Sequence, residues 1–280
     1  MMKLLILIGM FILGAVLGSF ACCQAWRWRY KIEGKKSLGK RSVCMSCKYK
    51  LKWYDNIPVI SWLMLRGKCR KCGKSIGWAE ILSEVGLGTA FAMLGHVYVL
   101  PMVYYWSVLM TRPMSLVILV ATVVLTLIML VVLTILSVYD AKWGELPVIL
   151  LVLAVGLGAM ILGLKVWSTV LDGGDVIQLL ISAGCGVVIM AGVCWAIYKV
   201  SNERLMGGGD WIMALAVALA IGDWWLALWA MFMANLLGDI IMMPSLIQKG
   251  NHVIHFGPFL MIGFVMVIWL GSALPSLFNL

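Results

Sequence analysis

Residues 114–139, MSLVILVATVVLTLIMLVVLTILSVY, contain no charged side chain and end immediately before Asp140. A helix over this run is about 39 Å long, enough to cross the roughly 30 Å hydrocarbon core of a bilayer. Over the whole chain, 63% of the residues are hydrophobic and 12% are charged, whereas soluble domains average about 45–50% and 25%. The composition therefore predicts a membrane protein, and it excludes a water-soluble globule and a disordered chain.

Seven further apolar runs predict an all-α polytopic membrane protein with about eight transmembrane helices. They cover residues 4–26, 79–99, 146–164, 176–199, 211–223, 224–246 and 256–277. The first run is too long for the apolar part of a cleaved signal peptide, so a retained anchor is expected. The run 211–223 is the shortest, because a helix of its length reaches only about 20 Å. It requires either a thinner bilayer or shielding inside the helix bundle.

Basic residues are concentrated between the first two runs. From Arg27 to Lys74 the chain has 15 of its 22 Lys and Arg residues and only two acids, which gives this segment a net charge of +13. Positively charged loops stay on the cytoplasmic side, so the N-terminus is predicted to lie outside. Eight crossings then place 19 basic residues inside and three outside. Topology thus explains the basic pI, so membrane lipid is an expected partner and nucleic acid is not.

The loop of residues 27–78 contains two Cys-x-x-Cys pairs, Cys44 with Cys47 and Cys69 with Cys72. Four thiolates at this spacing complete the tetrahedral site of a zinc ion, with no open position for water, so a structural ion is expected. The alternative is two disulfides, which require an oxidising compartment and fit a cytoplasmic loop poorly. We therefore predict a first helix in residues 1–26, a small zinc-ribbon-like cytoplasmic domain in 27–78, and a seven-helix domain in 79–280.

Two acids lie at the predicted cytoplasmic ends of helices, where Asp140 follows one run and Asp210 precedes another. Two carboxyl groups that meet can share one proton. One then acts as a base toward water and the other as an acid toward a carbonyl oxygen. This is the requirement for aspartyl proteolysis, so both residues are candidate catalytic groups. A transporter or channel with a regulatory zinc domain is the non-enzymatic alternative, but it predicts acids near the middle of broken helices.

Three glycines, Gly207, Gly208 and Gly209, precede Asp210. Without a Cβ atom, their backbone would allow an extended substrate to approach the carboxyl group closely. The alternative is a flexible loop followed by an aspartate that caps the next helix. Two such acids on separate helices and on the same side of the membrane favour the catalytic interpretation.

The order of several motifs resembles that of the type IV prepilin peptidases, membrane aspartyl proteases of the Gly-x-Gly-Asp type. The resemblance covers almost the whole chain. The matching segments are Gly18-Ser19-Phe20, residues 41–47 (RSVCMSC), 55–63 (DNIPVISWL), 65–72 (LRGKCRKC), Tyr139-Asp140 with Pro147, residues 207–210 (GGGD) and 256–260 (FGPFL).

This resemblance implies a bifunctional enzyme of the bacterial cytoplasmic membrane. It would remove the leader of type IV prepilins or pseudopilins on the cytoplasmic side, after a glycine, and then methylate the new N-terminal amine with S-adenosylmethionine. Asp140 and Asp210 would be the catalytic pair. Glu84 fits the family's glutamate near the start of the second span, and Gly88 lies one turn later. They are candidate methyl-donor contacts, or alternatively a glutamate at the membrane interface beside a helix-packing glycine. A cleavage-only preflagellin peptidase would typically lack the four cysteines.

Overall fold

The computed structural model of the chain describes residues 1–34, 42–201, 206–248 and 256–271, with the backbone alone for 108 and 242–248. Residues 35–41 of the predicted zinc domain and 272–277 of the last predicted run lie outside them. The α-helices are α1 (Met2–Ile32), α2 (Ile60–Met64), α3 (Trp78–Leu94), α4 (Leu100–Tyr104), α5 (Trp106–Leu109), α6 (Pro113–Trp143), α7 (Val148–Leu171), α8 (Val176–Val187), α9 (Val193–Ser201), α10 (Asp210–Ile221), α11 (Trp224–Gln248) and α12 (Gly257–Gly271).

Short elements complete the secondary structure. A π-helical turn, Gly95–Val99, joins α3 to α4, and a second one, Val188–Gly192, joins α8 to α9. A 3-10 helix, Trp53–Asn56, precedes α2. Within the described ranges, the β-pairing consists of two isolated antiparallel bridges, and the remainder is helix, turn or loop. The predicted all-α class is therefore confirmed.

Six helical segments are long and apolar enough to cross a membrane. They are Met2–Ile32, Trp78–Tyr104, Pro113–Trp143, Val148–Leu171, Val176–Ser201 and Trp224–Ile241. Two of the predicted runs correspond to shorter apolar helices, Asp210–Ile221 and Gly257–Gly271. The chain is thus an α-helical multi-pass membrane protein, while eight complete crossings and their orientation stay predictions.

Residue contacts divide the chain into two compact units, Met1–Ala92 and Met93–Leu280. The first unit contains α1, α2, the four-cysteine loop and most of α3. Here α1 and α3 approach each other closely, because a Cβ atom on Gly14 would lie 2.8 Å from the Cα atom of Gly88. The predicted divisions at 26/27 and 78/79 follow the apolar runs rather than these contacts, and they stay predictions.

The second unit is a bundle in which the short helix α10 packs against α7, α8 and α12. Eight of its 12 residues are buried. Contact with α7 is at backbone level, because a Cβ atom on Gly158 would collide with the carbonyl oxygen of Ala216. Shielding inside the bundle therefore accounts for an apolar helix too short to cross a bilayer by itself.

A lysine side chain from α7 caps the C-terminal end of α10. The ammonium group of Lys165 donates hydrogen bonds to the carbonyl oxygens of Ala220 and Ile221, at 2.9 and 2.7 Å. The last carbonyls of a helix have no partner inside the helix, and an unpaired carbonyl is costly in an apolar environment. Lys165 thereby allows α10 to end within the bundle.

Candidate active site and metal centre

The first Cys-x-x-Cys pair lies in a tight loop that we name the first knuckle, residues 43–50. The N–H group of Cys44 donates to the carbonyl oxygen of Tyr49, and the N–H group of Lys48 donates to the carbonyl oxygen of Cys44, both at 2.9 Å. Val43 and Lys50 form an antiparallel bridge at its ends. Local backbone hydrogen bonds thus aim Cys44 and Cys47 in one direction.

The second pair lies in an equivalent loop, the second knuckle, residues 68–75. Its hydrogen bonds repeat those of the first knuckle. The N–H group of Cys69 donates to the carbonyl oxygen of Lys74 at 2.8 Å, and the N–H group of Gly73 donates to the carbonyl oxygen of Cys69 at 2.9 Å. Lys48 and Gly73 occupy the same place in the two loops, and both have positive φ angles, of 57° and 67°. The two knuckles are therefore two copies of one structure.

The four thiols converge on one point. Their sulfur atoms all lie within 4.8 Å of one another. The Sγ atoms of Cys44 and Cys72 are 3.9 Å apart, and those of Cys47 and Cys69 are 4.0 Å apart. Tetrahedral zinc with bonds of about 2.3 Å sets neighbouring sulfurs about 3.8 Å apart, whereas a disulfide bond is about 2.05 Å long. This cluster of free cysteines can hold one metal ion, and its geometry argues against the two-disulfide alternative.

The backbone of the first knuckle prepares Cys44 for metal binding. Desolvation raises the pKa of this thiol, but hydrogen bonds from the backbone of Cys47 and Ser46, together with those from the thiols of Cys47 and Cys69, lower the pKa to about 6. At Cys47 the backbone of Tyr49 lowers the pKa, while desolvation and the neighbouring thiols raise it to about 11. One thiol of the pair is thus ready to ionise at neutral pH, which is the form that binds metal.

An ion pair between an exposed arginine and a buried carboxylate connects the 3-10 helix to the second knuckle. The Arg70 Nε atom lies 2.8 Å from the Asp55 carboxylate, whose side chain is 1% exposed. The same carboxylate accepts the N–H group of Lys52 at 3.2 Å. Because Arg70 lies between Cys69 and Cys72, this pair fixes the orientation of the second knuckle.

A cavity of about 320 Å³ lies in the first unit, between α1, the knuckles and the start of α3. The carboxylate of Glu84 lines it and is nearly buried, with 8% of the residue exposed. It accepts the N–H group of Val59 at 2.7 Å. Gly88 has a packing role, because a Cβ atom there would lie 2.9 Å from the ring of Phe11. The side chains that line the cavity include Ser19, Trp26, Arg27, Met45, Asp55, Arg70, Glu80 and Glu84.

Asp140 lies near the C-terminal end of α6 and is 5% exposed. Its Oδ2 atom accepts the N–H group of Gly257, the first residue of α12, at 3.2 Å. The N-terminal end of a helix stabilises negative charge through its unpaired N–H groups and its dipole. The backbone of α12 thus holds and polarises the Asp140 carboxyl group.

Asp210 is the first residue of α10 and is 4% exposed. Its Oδ2 atom accepts the N–H group of Gly207 at 3.1 Å. Its Oδ1 atom is buried and has no hydrogen-bond partner among the described residues. The N-cap position belongs to Gly209, and no side-chain capping bond is present. Helix capping therefore does not account for this carboxyl group.

The two carboxyl groups influence each other electrostatically. Asp140 and Asp210 interact electrostatically, although 69 residues separate them in the sequence. A methyl group on Gly257 would lie 3.1 Å from Asp140 Oδ2 and 3.6 Å from the sulfur of Met213, which is one turn beyond Asp210 on α10. Two buried carboxyl groups that interact favour sharing one proton.

The three glycines before Asp210 are closely surrounded. A Cβ atom on Gly209 would lie 2.6 Å from the side chain of Leu146, and one on Gly208 would lie 3.3 Å from the ring of Tyr198. Gly207 donates the hydrogen bond to Asp210. Close packing alone thus requires glycine at position 209, and the approach of a substrate over these residues stays a prediction.

Two residues of this region were missed by the sequence analysis. Gly257 acts through its backbone N–H group, and its only sequence signal is its place in the segment Phe256–Leu260. Lys165 was counted only as one of the three basic residues on the outer side, and the structure shows that it lies on α7 and caps α10. A single cation near the end of an apolar run gives no indication of which helix it contacts.

Comparison with known proteins gives consistent matches. Residues 12–98 match the model of the Bacterial Peptidase A24 N-terminal domain. A prepilin leader peptidase/N-methyltransferase of Vibrio cholerae serotype O1 is 37% identical over 79 residues, 26% of this chain and 31% of that protein. Proteins of the same name from Aeromonas salmonicida and Pseudomonas aeruginosa are 27% and 26% identical, over 82% and 92% of this chain and 71% and 88% of their own.

No solved structure matches the chain. The matched N-terminal domain contains all four cysteines and Glu84, whereas Asp140 and Asp210 lie beyond it, in the part covered by the longer alignments. Residues 12–98 are thus similar to a bacterial peptidase A24 N-terminal domain, and most of the chain is similar to proteins named prepilin leader peptidase/N-methyltransferase.

Proposed function

We propose that this protein is a membrane aspartyl endopeptidase that removes the leader of type IV prepilins or pseudopilins after a glycine, and then methylates the new N-terminal amine. Its relatives carry the names of both activities. The aspartyl mechanism rests on one observation: Asp140 and Asp210 are both buried and interact electrostatically. The cleavage site faces the cytoplasm of a bacterial inner membrane.

In the proposed mechanism the two carboxyl groups share one proton. The ionised group removes a proton from a water molecule as that water attacks the scissile carbonyl carbon. The protonated group donates its proton to the carbonyl oxygen, so the charge that develops there is neutralised. The roles belong to the coupled pair, because two strongly interacting acids titrate together.

Backbone groups keep the pair in place. The N–H groups of Gly257 and Gly207 donate to one oxygen of Asp140 and of Asp210, respectively. The Oδ1 atom of Asp210, which has no partner among the described residues, remains available to a water molecule or a substrate carbonyl. The protein thus supplies a fixed backbone donor to each carboxyl group and leaves the Oδ1 atom of Asp210 for chemistry.

Zinc in the four-cysteine cluster has a structural role in this proposal. Cys44, Cys47, Cys69 and Cys72 fill all four positions of a tetrahedral ion, so no water can be activated there. A zinc ion held by these four thiolates would connect the two knuckles, which form one wall of the 320 Å³ cavity through Cys44 and Cys69.

S-Adenosylmethionine fits that cavity by its chemistry. The methyl donor has a positively charged sulfonium centre and an amino group, and the cavity wall contains the carboxylates of Glu80 and Glu84 beside the apolar side chains of Trp26 and Met45. When bound, the donor supplies the methyl group for the amine. Glu84 would orient its cationic end, whereas Gly88, which packs against Phe11, contributes by allowing α1 and α3 to approach.

Substitution of the two acids tests the peptidase mechanism. Asp140→Asn and Asp210→Asn should each reduce leader removal by about 10²–10⁴-fold, the contribution of a positioned acid or base. Cleavage is measured by mass spectrometry after incubation with a prepilin precursor. Asp239→Asn, in α11, is the matched control, because Asp239 is exposed and should tolerate the change. Near-normal cleavage by folded Asp140→Asn protein would refute the mechanism.

The same incubations, repeated with S-adenosylmethionine, test the second activity. Glu84→Gln should still remove the leader, but the product should lack the mass of one methyl group. Loss of both activities would assign Glu84 a structural role through its hydrogen bond with Val59. Normal methylation would exclude it from the methyl-donor site.

A further inference from the structure

The short helix α2 exposes an apolar face. Ile60, Leu63 and Met64 are 56%, 58% and 78% exposed. Residues three and four apart lie on the same side of a helix, so the three side chains form one surface. A water-facing surface rarely concentrates large aliphatic side chains in this way. This surface, residues 60, 63 and 64, is the apolar face of α2.

Contacts with α3 determine the level at which α2 lies. Val59, the N-cap residue of α2, donates its N–H group to Glu84 of α3 at 2.7 Å. The indole N–H group of Trp62 donates to the carbonyl oxygen of Gly77 at 3.1 Å. Its ring packs on that of Trp78, with centroids 5.1 Å apart. Helix α2 therefore lies beside the first two turns of α3.

Those two turns begin the membrane-spanning segment Trp78–Tyr104. Glu84 is six residues into α3, which corresponds to about 9 Å along the helix axis. The headgroup region is about 5–8 Å thick on each side of a bilayer, so the first two turns of α3 are long enough to pass through it. Trp78 is 70% exposed, and tryptophan is enriched at this depth. The apolar face of α2 is thus at the level of the membrane–water interface.

The charge next to α2 identifies the chemistry of its partner. Arg66, Lys68, Arg70, Lys71 and Lys74 follow the helix, and all five are exposed. The segment from Arg27 to Lys74 has a net charge of +13. Anionic lipids attract such segments, whereas a basic peptide would be repelled. Apolar side chains beside a basic stretch are typical of interfacial helices.

We propose that α2 is an interfacial anchor. Its apolar face inserts into the leaflet in which α3 begins, and the basic residues from Arg66 to Lys74 bind anionic lipid headgroups. The anchor is independent of the catalytic mechanism proposed above. It would keep the knuckles, and the cavity that they line, at the membrane surface rather than in bulk solvent.

Photo-crosslinking of the full-length protein tests this contact. Benzoylphenylalanine replaces Met64 in one variant and Ser61 in the matched control, because Ser61 is on the same helix and its hydroxyl donates to Ile57 within the domain. Both proteins are placed in phosphatidylcholine vesicles with and without about 30% phosphatidylglycerol. Lipid adducts at position 64 should exceed those at 61 by about fivefold, and they should increase with phosphatidylglycerol.

Other outcomes overturn the proposal. Equal yields of lipid adducts at positions 61 and 64 would show that α2 does not insert its apolar face into the membrane. Adducts at position 64 with peptides of this chain would show that protein covers the apolar face. A lipid-adduct yield at position 64 that does not increase with phosphatidylglycerol would contradict the binding of anionic lipid. The same conclusion would follow if the double substitution Arg66→Gln and Lys68→Gln left the increase unchanged.

Hydrogen exchange of the unsubstituted protein provides an independent measurement, in case the probe disturbs the fold. Backbone amides of residues 60–66 should exchange about threefold or more slowly when phosphatidylglycerol is present. The amides of the first knuckle should exchange at the same rate in both vesicles. Identical exchange of residues 60–66 in the two lipid compositions would contradict the anchor.

Discussion

The four-cysteine cluster and the carboxyl pair are positioned in opposite ways. Each knuckle fixes its two thiols through backbone hydrogen bonds between residues four or five positions apart. The carboxyl groups of Asp140 and Asp210 instead depend on three helices, α6, α10 and α12, whose contacts join distant parts of the sequence. The first site is built locally, whereas the second is built by tertiary packing.

This difference determines how each site should fail. A local loop keeps its backbone form when distant helices move, so the knuckles should depend mainly on their own ligands and turns. A site between helices depends on every contact that fixes the height and tilt of those helices. Substitutions far from the acids should therefore reduce peptidase activity, while distant substitutions should leave the cysteine cluster unchanged.

Removal of one metal ligand should produce the largest effect. Cys69→Ser changes a buried ligand, and structural zinc contributes about 10–16 kcal/mol in small zinc-binding peptides. We expect loss of bound zinc, rapid tryptic cleavage of the exposed basic segment and loss of methylation, with leader removal retained. Zinc content, limited proteolysis and product mass measure these effects.

Cys185→Ser is the matched control for this change. Cys185 is an exposed cysteine of the second unit, so its substitution should alter neither zinc content nor proteolysis. If Cys69→Ser abolished leader removal together with methylation, the contrast between a local site and a packed site would be wrong, because both would belong to one cooperative unit.

A smaller effect is expected from Lys165, at the end of α10 opposite Asp210. Lys165→Met keeps the length of the side chain but leaves the carbonyl oxygens of Ala220 and Ile221 without its donors. This should destabilise the protein by about 1–3 kcal/mol, and it should reduce leader removal by allowing α10 to shift. Thermal unfolding and cleavage rate are the measurements.

Lys165→Arg keeps a charged donor and should retain most of the stability and activity. Zinc content should be normal in both variants, since the knuckles do not depend on α10. A cleavage rate for Lys165→Met equal to that of the unsubstituted protein would show that the position of Asp210 does not depend on this cap.

The smallest effect is expected at the equivalent positions of the two knuckles. Gly73 has a φ angle of 67° and open space where a Cβ atom would lie, so Gly73→Ala should cost about 1 kcal/mol through backbone strain alone. Lys48→Gly, at a φ angle of 57°, should relieve comparable strain and be neutral or slightly stabilising. A lower melting temperature for Gly73→Ala with an unchanged or higher one for Lys48→Gly would support the equivalence of the loops, and destabilisation by both substitutions would contradict it.

Residue type and spacing were enough to predict several features of the fold and of both sites. The all-α membrane class follows from composition, and the Cys-x-x-Cys spacing predicted the convergence of Cys44, Cys47, Cys69 and Cys72. Asp140 and Asp210 were paired because they lie at helix ends on the same predicted side; the two carboxyl groups interact electrostatically, while their catalytic role stays a prediction.

Other features depend on contacts that spacing cannot reveal. The donor to Asp140 is a backbone N–H group 117 residues away, and backbone groups are the same in every residue except proline. Position 48 is a lysine where the other knuckle has Gly73, which conceals their equivalence in the sequence. The burial of α10 depends on its neighbours, which the length of an apolar run does not specify.

The hydrogen bond from Gly257 to Asp140 has a practical consequence for genetic studies. Replacing one side chain by another changes neither the presence nor the chemistry of a main-chain amide, so alanine scanning of α12 measures crowding around this contact but never deletes it. Only an amide-to-ester exchange at this residue, or an imino acid, would remove the donor itself.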